Sequence, residues 1–144
     1  MTRLDEIIEG LRKVDVDRIF EQTVRKNEDL VTEMVSEIQL YEEGERGDGV
    51  FIADFAPYRP LTIELKRGKG QPTNRVTLRD EGDFHRSFFI QFKGDGFEVR
   101  ARDWKEAKLK REYGEEILKL SSENMSDLIR SYVVPDIIAK FRAV

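Results

Sequence analysis

The chain has no cysteine and only one histidine, His85, in 144 residues. The first absence excludes disulfides, thiolate metal sites and a cysteine nucleophile; the second excludes a histidine-rich metal site. No run approaches the roughly 20 apolar residues of a membrane span, so no membrane contact is expected. The opening Met1-Thr2-Arg3-Leu4-Asp5-Glu6 is too acidic and too polar for a signal peptide. The expected place of work is the cytoplasm of the producing cell, or a particle assembled there.

What the chain does have is charge. Asp, Glu, Lys and Arg make up 38% of it, mixed in sign, beside 39% hydrophobic residues that include nine Phe. That balance fits a folded domain with a real core, and the length fits one domain, 1–144. The net charge of −4 is unevenly spread: residues 1–45 hold six basic and thirteen acidic residues, a balance of −7, whereas residues 58–111 hold fourteen basic and eight acidic, a balance of +6. Complementary halves of this kind suit head-to-tail self-association. Acidic helices beside basic strand edges would give the same totals without it.

Residues 1–43 read as a helical arm. Thr2 can cap a short helix with Leu4, Ile7, Ile8 and Leu11 on one face, and Asp15 offers a second N-cap. Phe20, Val24, Asn27, Val31, Met34, Ile38 and Tyr41 then follow a 4-3-4-3-4-3 spacing, widened by Ile19, Leu30 and Val35. The pattern predicts one long amphipathic helix of about 25 residues ending near Gly44, either packed on a sheet or forming a coiled-coil seam with Asn27 as its polar position. Residues 50–101 read as the sheet region. It comprises the apolar run Val50-Phe51-Ile52, a strand Leu61–Lys66, a strand Val76–Leu78, and a hairpin of Phe84–Lys93 with Phe97–Ala101 across Gly94-Asp95-Gly96. Residues 103–144 read as helical: Asp103 caps a helix bearing Trp104, Leu109 and Tyr113, and Ser121–Asn124 begins a last helix that Pro135 should kink or restart. The predicted fold class is α+β, a long N-terminal helix and a C-terminal helix packed on a small, mostly antiparallel sheet.

The basic, glycine-bearing stretch from Lys66 leads into the acidic turn Arg79-Asp80-Glu81-Gly82-Asp83. Gly82 stands where a chain reversal needs a positive φ. The loop from Arg67 to Arg75 is expected to be mobile in the isolated chain and ordered in an assembly.

The string Gly70-Gln71-Pro72, Val76-Thr77-Leu78, Asp80-Glu81-Gly82-Asp83-Phe84 and Ser87-Phe88, with Gln39-Leu40-Tyr41 before it and Tyr113–Leu118 after it, resembles small structural proteins of tailed phages and prophages of Bacteroidetes. These in turn are similar to the tail-completion and virion-morphogenesis (neck, minor tail, head–tail connector) families, marked by a Leu-x-Asp-Thr-Gly-x-Leu-x-x-Ser element. Glu81 stands where that element has Thr, and Phe84 where it has Leu. The likeness covers residues 39–120. It implies a non-enzymatic virion component, without cofactor or metal, forming a ring of subunits against portal, connector or tail proteins. Its basic loop could also touch packaged DNA. Arg67, Lys69, Arg75, Arg79, Asp80, Gly82, Asp83 and Arg86 are the expected assembly residues.

Two other readings compete with it. Lys66, Arg67, Lys69, Arg75, Arg79 and Arg86 with Tyr58 and Phe88 could follow a phosphate backbone and stack bases. Alternatively, Asp54 with Glu64 and Lys66 resembles a restriction-type nuclease site, in which Glu-x-Lys on a strand projects both side chains to one face to hold a metal and activate water. His85 reads as a strand-edge or surface histidine. Gly68–Thr73 lacks the spacing of a phosphate-binding loop.

Overall fold

Thr2 and Asp5 close the first helix from both sides. Thr2 Oγ1 accepts from Asp5 N (3.1 Å) while Asp5 Oδ2 accepts from Thr2 N (3.1 Å), and α1 runs Arg3–Arg12. The computed structural model describes residues 2–12, 14–94 and 96–143, without the Leu11 side chain. The Leu11 position on the α1 face and Asp95 of the hairpin turn therefore lie outside the described residues. Asp15 caps α2 (Val16–Lys26) by accepting from Arg18 N at 3.0 Å.

The expected long helix is present only in pieces. At Asn27, φ −112 and ψ 28 leave the helical region, and its Nδ2 donates to Thr23 O (2.8 Å), so α2 ends there and α3 (Glu28–Glu33) begins afresh. Asn27 thus interrupts the helix with its side chain bonded to the carbonyl of the preceding turn, as short amide side chains do. The helix then widens into π-turns over Met34–Glu42. A π-turn makes the buried face advance by five residues, so Val35 and Leu40 are fully buried while Ile38 is 36% exposed. The 4-3 stripe fails from this point, and Val24, Val31 and Val35 are core positions within the chain and not a seam.

After Gly44 the chain makes one bridge, Glu45 with Phe51, and a short helix α4 (Ile52–Phe55) in place of an extended apolar run. Leu61–Lys66 is not a strand: it lies in the helix α5 (Pro60–Gly68), which Pro60 opens in the first turn, where its missing N–H costs nothing. Residues 76–78 form no strand, and Phe84 belongs to the short helix α6 (Asp83–Arg86). The sheet among the described residues is one antiparallel hairpin, β1 (Phe88–Lys93) with β2 (Gly96–Ala101), in the register Phe88 opposite Ala101 and Ile90 opposite Val99. Glu28 reaches the outer edge of β1, where its Oε1 accepts from Ile90 N (2.9 Å).

Asp103 Oδ1 accepts from Lys105 N (2.9 Å) ahead of α7 (Lys105–Tyr113), a 3₁₀ turn spans Glu115–Leu118, and Ser121 caps α8 (Ser122–Leu128) through Asn124 N (3.1 Å). A second π-turn, Ile129–Val133, precedes α9 (Val134–Arg142) just ahead of Pro135, whose ring and absent N–H disrupt the bonds of the preceding turn. The architecture is α+β, with helices dominant. Val24, Val31, Val35, Leu40, Ile52, Val76, Ile90, Val99 and Leu128 form the main core, and Phe84, Ala101, Ile117 and Leu118 a second cluster beside it. No described helix is long and apolar enough to cross a membrane.

Candidate interaction surface

Residues 75–82 pass through the protein without regular structure, although Val76 and Thr77 are almost fully buried. Buried backbone groups need partners, and here side chains supply them. Tyr58 Oη accepts from Thr77 N (3.0 Å), His85 Nε2 lies 3.0 Å from Thr77 O, and Thr77 Oγ1 accepts from Arg79 N (3.2 Å). Lys66 Nζ donates to Arg79 O (2.9 Å), Gln71 Nε2 to Asp80 O (2.7 Å), and Arg86 to Glu81 O (3.1 Å). Leu78 within this stretch has φ +56, the only positive φ outside glycine among the described residues. A leucine held there is strained, and the bonds on both sides hold it in place.

The eight expected assembly residues divide in two. Asp80, Gly82, Asp83, Arg79, Arg86 and Lys69 come together on the turn: Lys69 pairs with Asp80 (2.8 Å), Arg86 with Asp83 (2.5 Å), and Arg79 with Glu37 (3.2 Å) while stacking over Tyr41 at 4.5 Å. The Lys69 ammonium holds the Asp80 carboxyl below the usual carboxylate range. Arg75 is drawn away to Tyr41 O (2.6 Å), and Arg67 stands exposed in the last turn of α5. The loop expected to be loose is therefore tied down at Lys69, Gln71 and Arg75, with Gln71 N also donating to Lys66 O (2.9 Å).

Gly82 has φ +91, as its place in the turn predicts, and a Cβ there would meet the Arg86 guanidinium at 2.7 Å. The guanidinium can swing aside, so the backbone sets the cost. Gly82→Val should lower stability by on the order of 1–2 kcal/mol in a urea melt, and an unchanged midpoint would contradict a required left-handed turn.

His85 is buried at 6% exposure, against the expectation of a surface histidine. A carbonyl only accepts, so the neutral ring carries its proton on Nε2 toward Thr77 O, and Nδ1 is buried without a partner. Burial pushes its pKa down to about 4, with the Arg79 and Lys66 charges adding to the effect. Below pH 6.5 the unfolded chain binds a proton that the folded ring refuses. Stability should therefore be complete above about 6.5 and decline toward pH 4 by on the order of 3 kcal/mol, and His85→Gln should flatten that slope. The same slope in the variant would assign it to other groups.

The helix α5 is turned inside out. It buries Lys66 at 9% exposure, with its ammonium 5.0 Å over the Tyr58 ring, and exposes Leu61 at 71% and Leu65 at 58%. Glu64 and Lys66, two residues apart on a helix, project about 200° from each other. The same-face Glu-x-Lys geometry expected of a strand is absent, since Glu64 is exposed and Lys66 buried. Among the described residues no three His, Asp or Glu come together as metal ligands. Beside Lys66 a cleft of about 160 Å³ opens between Tyr58, Leu109, Tyr113, Lys105 and the Arg79–Asp83 turn. Burial and the nearby Glu112 push the Tyr113 pKa up to about 12, so this wall stays a neutral phenol.

Sequence reasoning missed the buried lysine and the outward leucines together, because it read Leu61–Lys66 as a strand, in which Leu61, Ile63 and Leu65 would share a face opposite Lys66. Pro60 in a first-turn position was the signal for a helix. No family model, curated protein or solved structure matches the chain.

Proposed function

We propose that this chain is a non-enzymatic structural component of a tailed-phage virion, a tail-completion or neck subunit that works as a ring of copies against portal, connector or tail proteins. The observation that carries the reading is α5. A surface helix that hides its lysine and presents two leucines at i and i+4 offers an apolar face that a neighbouring subunit could cover. Phe51, Phe55 and Trp104 are exposed as well. The motif residues Leu78, Asp80, Gly82 and Ser87 fall on the strained leucine, the turn and the α6 boundary.

The nucleic-acid alternative is weaker. Lys66, Lys69, Arg75, Arg79 and Arg86 already serve carbonyls or carboxylates of the chain itself, leaving fewer cations free for phosphates. Electron microscopy of the purified protein, alone and mixed with a portal-type ring, tests the proposal. Rings or ring-on-portal complexes are expected. Monomers under both conditions would overturn it.

A further inference from the structure

The β1–β2 hairpin has one outer edge covered and one open. In an antiparallel pair, alternate residues turn both backbone groups toward the partner strand or both away from it. Ile90 N donates to Glu28 Oε1 (2.9 Å) and Ala101 N to Glu106 Oε2 (2.6 Å), so the pairs Ile90–Val99 and Phe88–Ala101 are of the outward kind. The same alternation turns the N–H and C=O of Phe97 and Val99 away from β1. Glu28 serves the β1 edge, and Glu106 closes the Ala101 end of the β2 edge. No side chain or other backbone group among the described residues bonds the outward groups of Phe97 and Val99.

This open stretch lies in a cleft. Val99 is 4% exposed, so its groups sit at a floor and not on a rim. The cleft, of about 490 Å³, is lined by Phe97 and Val99 from one face of β2 and by Glu98 from the other, which places it along the strand edge, with Leu118, Leu120 and Met125 across from it. The far wall is held in place by Gln39, whose side chain bonds Lys119 O (2.8 Å) and Ser121 N (2.9 Å). A recessed strand edge with unpaired donors and acceptors beside an apolar wall is the arrangement that takes up an added strand.

We infer that this cleft seats a short extended segment of another protein, which bonds the backbone of Phe97 and Val99 as a third strand and lays alternate apolar side chains against Leu118, Leu120 and Met125. The unpaired groups recur at every second residue, the spacing that a strand presents in return. The recess excludes β2 of a second copy, because that edge is equally sunk and the two cannot meet. A segment one strand thick can enter. Glu106, already bonded at Ala101, limits the added pairing to Phe97–Val99. The seat is separate from the leucines of α5, so it stands or falls without the assembly reading.

The probe is a capped heptapeptide, Lys-Val-Thr-Val-Thr-Val-Lys, and its control is the same peptide methylated on every backbone nitrogen. Amide exchange of the whole chain is followed residue by residue by NMR, alone and with either peptide at about 1 mM, a concentration suited to a contact of a few bonds. With the first peptide the Phe97 and Val99 amides should slow several-fold, while those of Glu98 and Arg100, already bonded to β1, should stay as they were. The methylated peptide keeps the side chains but cannot lie as a strand, and should change nothing. Protection by neither peptide, or by both equally, would overturn the strand seat. Protection of Phe97 and Val99 that grows with protein concentration alone would assign the edge to a second copy and overturn the choice of a foreign segment.

Discussion

Lys66→Ala should lower the unfolding free energy by on the order of 3 kcal/mol, the sum of a lost buried stem and an orphaned carbonyl. The ammonium is the partner of Arg79 O at 2.9 Å and sits 5.0 Å over the Tyr58 ring, and the residue is 9% exposed on the buried side of α5. Lys66→Met separates the two contributions. It refills most of the volume and leaves Arg79 O without its donor, so about 1–2 kcal/mol should remain. Glu64→Gln, on the exposed side of the same helix, should change stability by less than about 0.5 kcal/mol. Urea unfolding of the three variants checks this. Equal small effects for Glu64 and Lys66 would return α5 to the description of a wet strand face with two interchangeable charges.

Gln39→Leu should be comparably damaging despite preserving size and adding hydrophobicity. Gln39 is 1% exposed and joins the π-turn segment to the start of α8. Its Nε2 donates to Lys119 O (2.8 Å), and its Oε1 accepts from Ser121 N (2.9 Å) and Asn124 Nδ2 (2.9 Å). Leucine would leave a carbonyl, a backbone N–H and a buried amide unpaired at once, a loss on the order of 3–4 kcal/mol. Hydrogen exchange should locate the damage, with the Ser121 amide losing protection before the β1–β2 amides do. A loss under about 1 kcal/mol would mean that water replaces the side chain there.

Both residues illustrate what the sequence concealed. The hairpin of β1 and β2 was legible because Phe88–Phe92 and Phe97–Ala101 alternate on either side of a glycine-flanked turn, a local signal that burial reinforces. The caps at Thr2, Asp15 and Ser121 were legible for the same reason: each acts on an amide three residues away. The long helix was half legible. Its apolar stripe marks the buried side up to Val35, but a π-turn shifts the face by one residue and leaves no mark in a 3.5 spacing. Residues 61–65 misled because alternation over five positions fits a strand as well as it fits a helix whose leucines face outward. The turn around Gly82 was visible as a turn. Its scaffold was not, because Tyr58, Lys66, Gln71 and His85 reach it by tertiary contacts that no short motif encodes.

The proposed assembly rests on the outward leucines of α5, and sedimentation tests them most directly. Parent protein and the Leu61→Asp/Leu65→Asp double variant are compared over a concentration series at low salt, with thermal melts run alongside. Both positions are exposed, so the variant should melt like the parent. The parent should sediment as species larger than the monomer whose share grows with concentration, and the variant as a monomer throughout. A parent that stays monomeric at every concentration, or a variant that assembles as the parent does, would contradict the role given to α5.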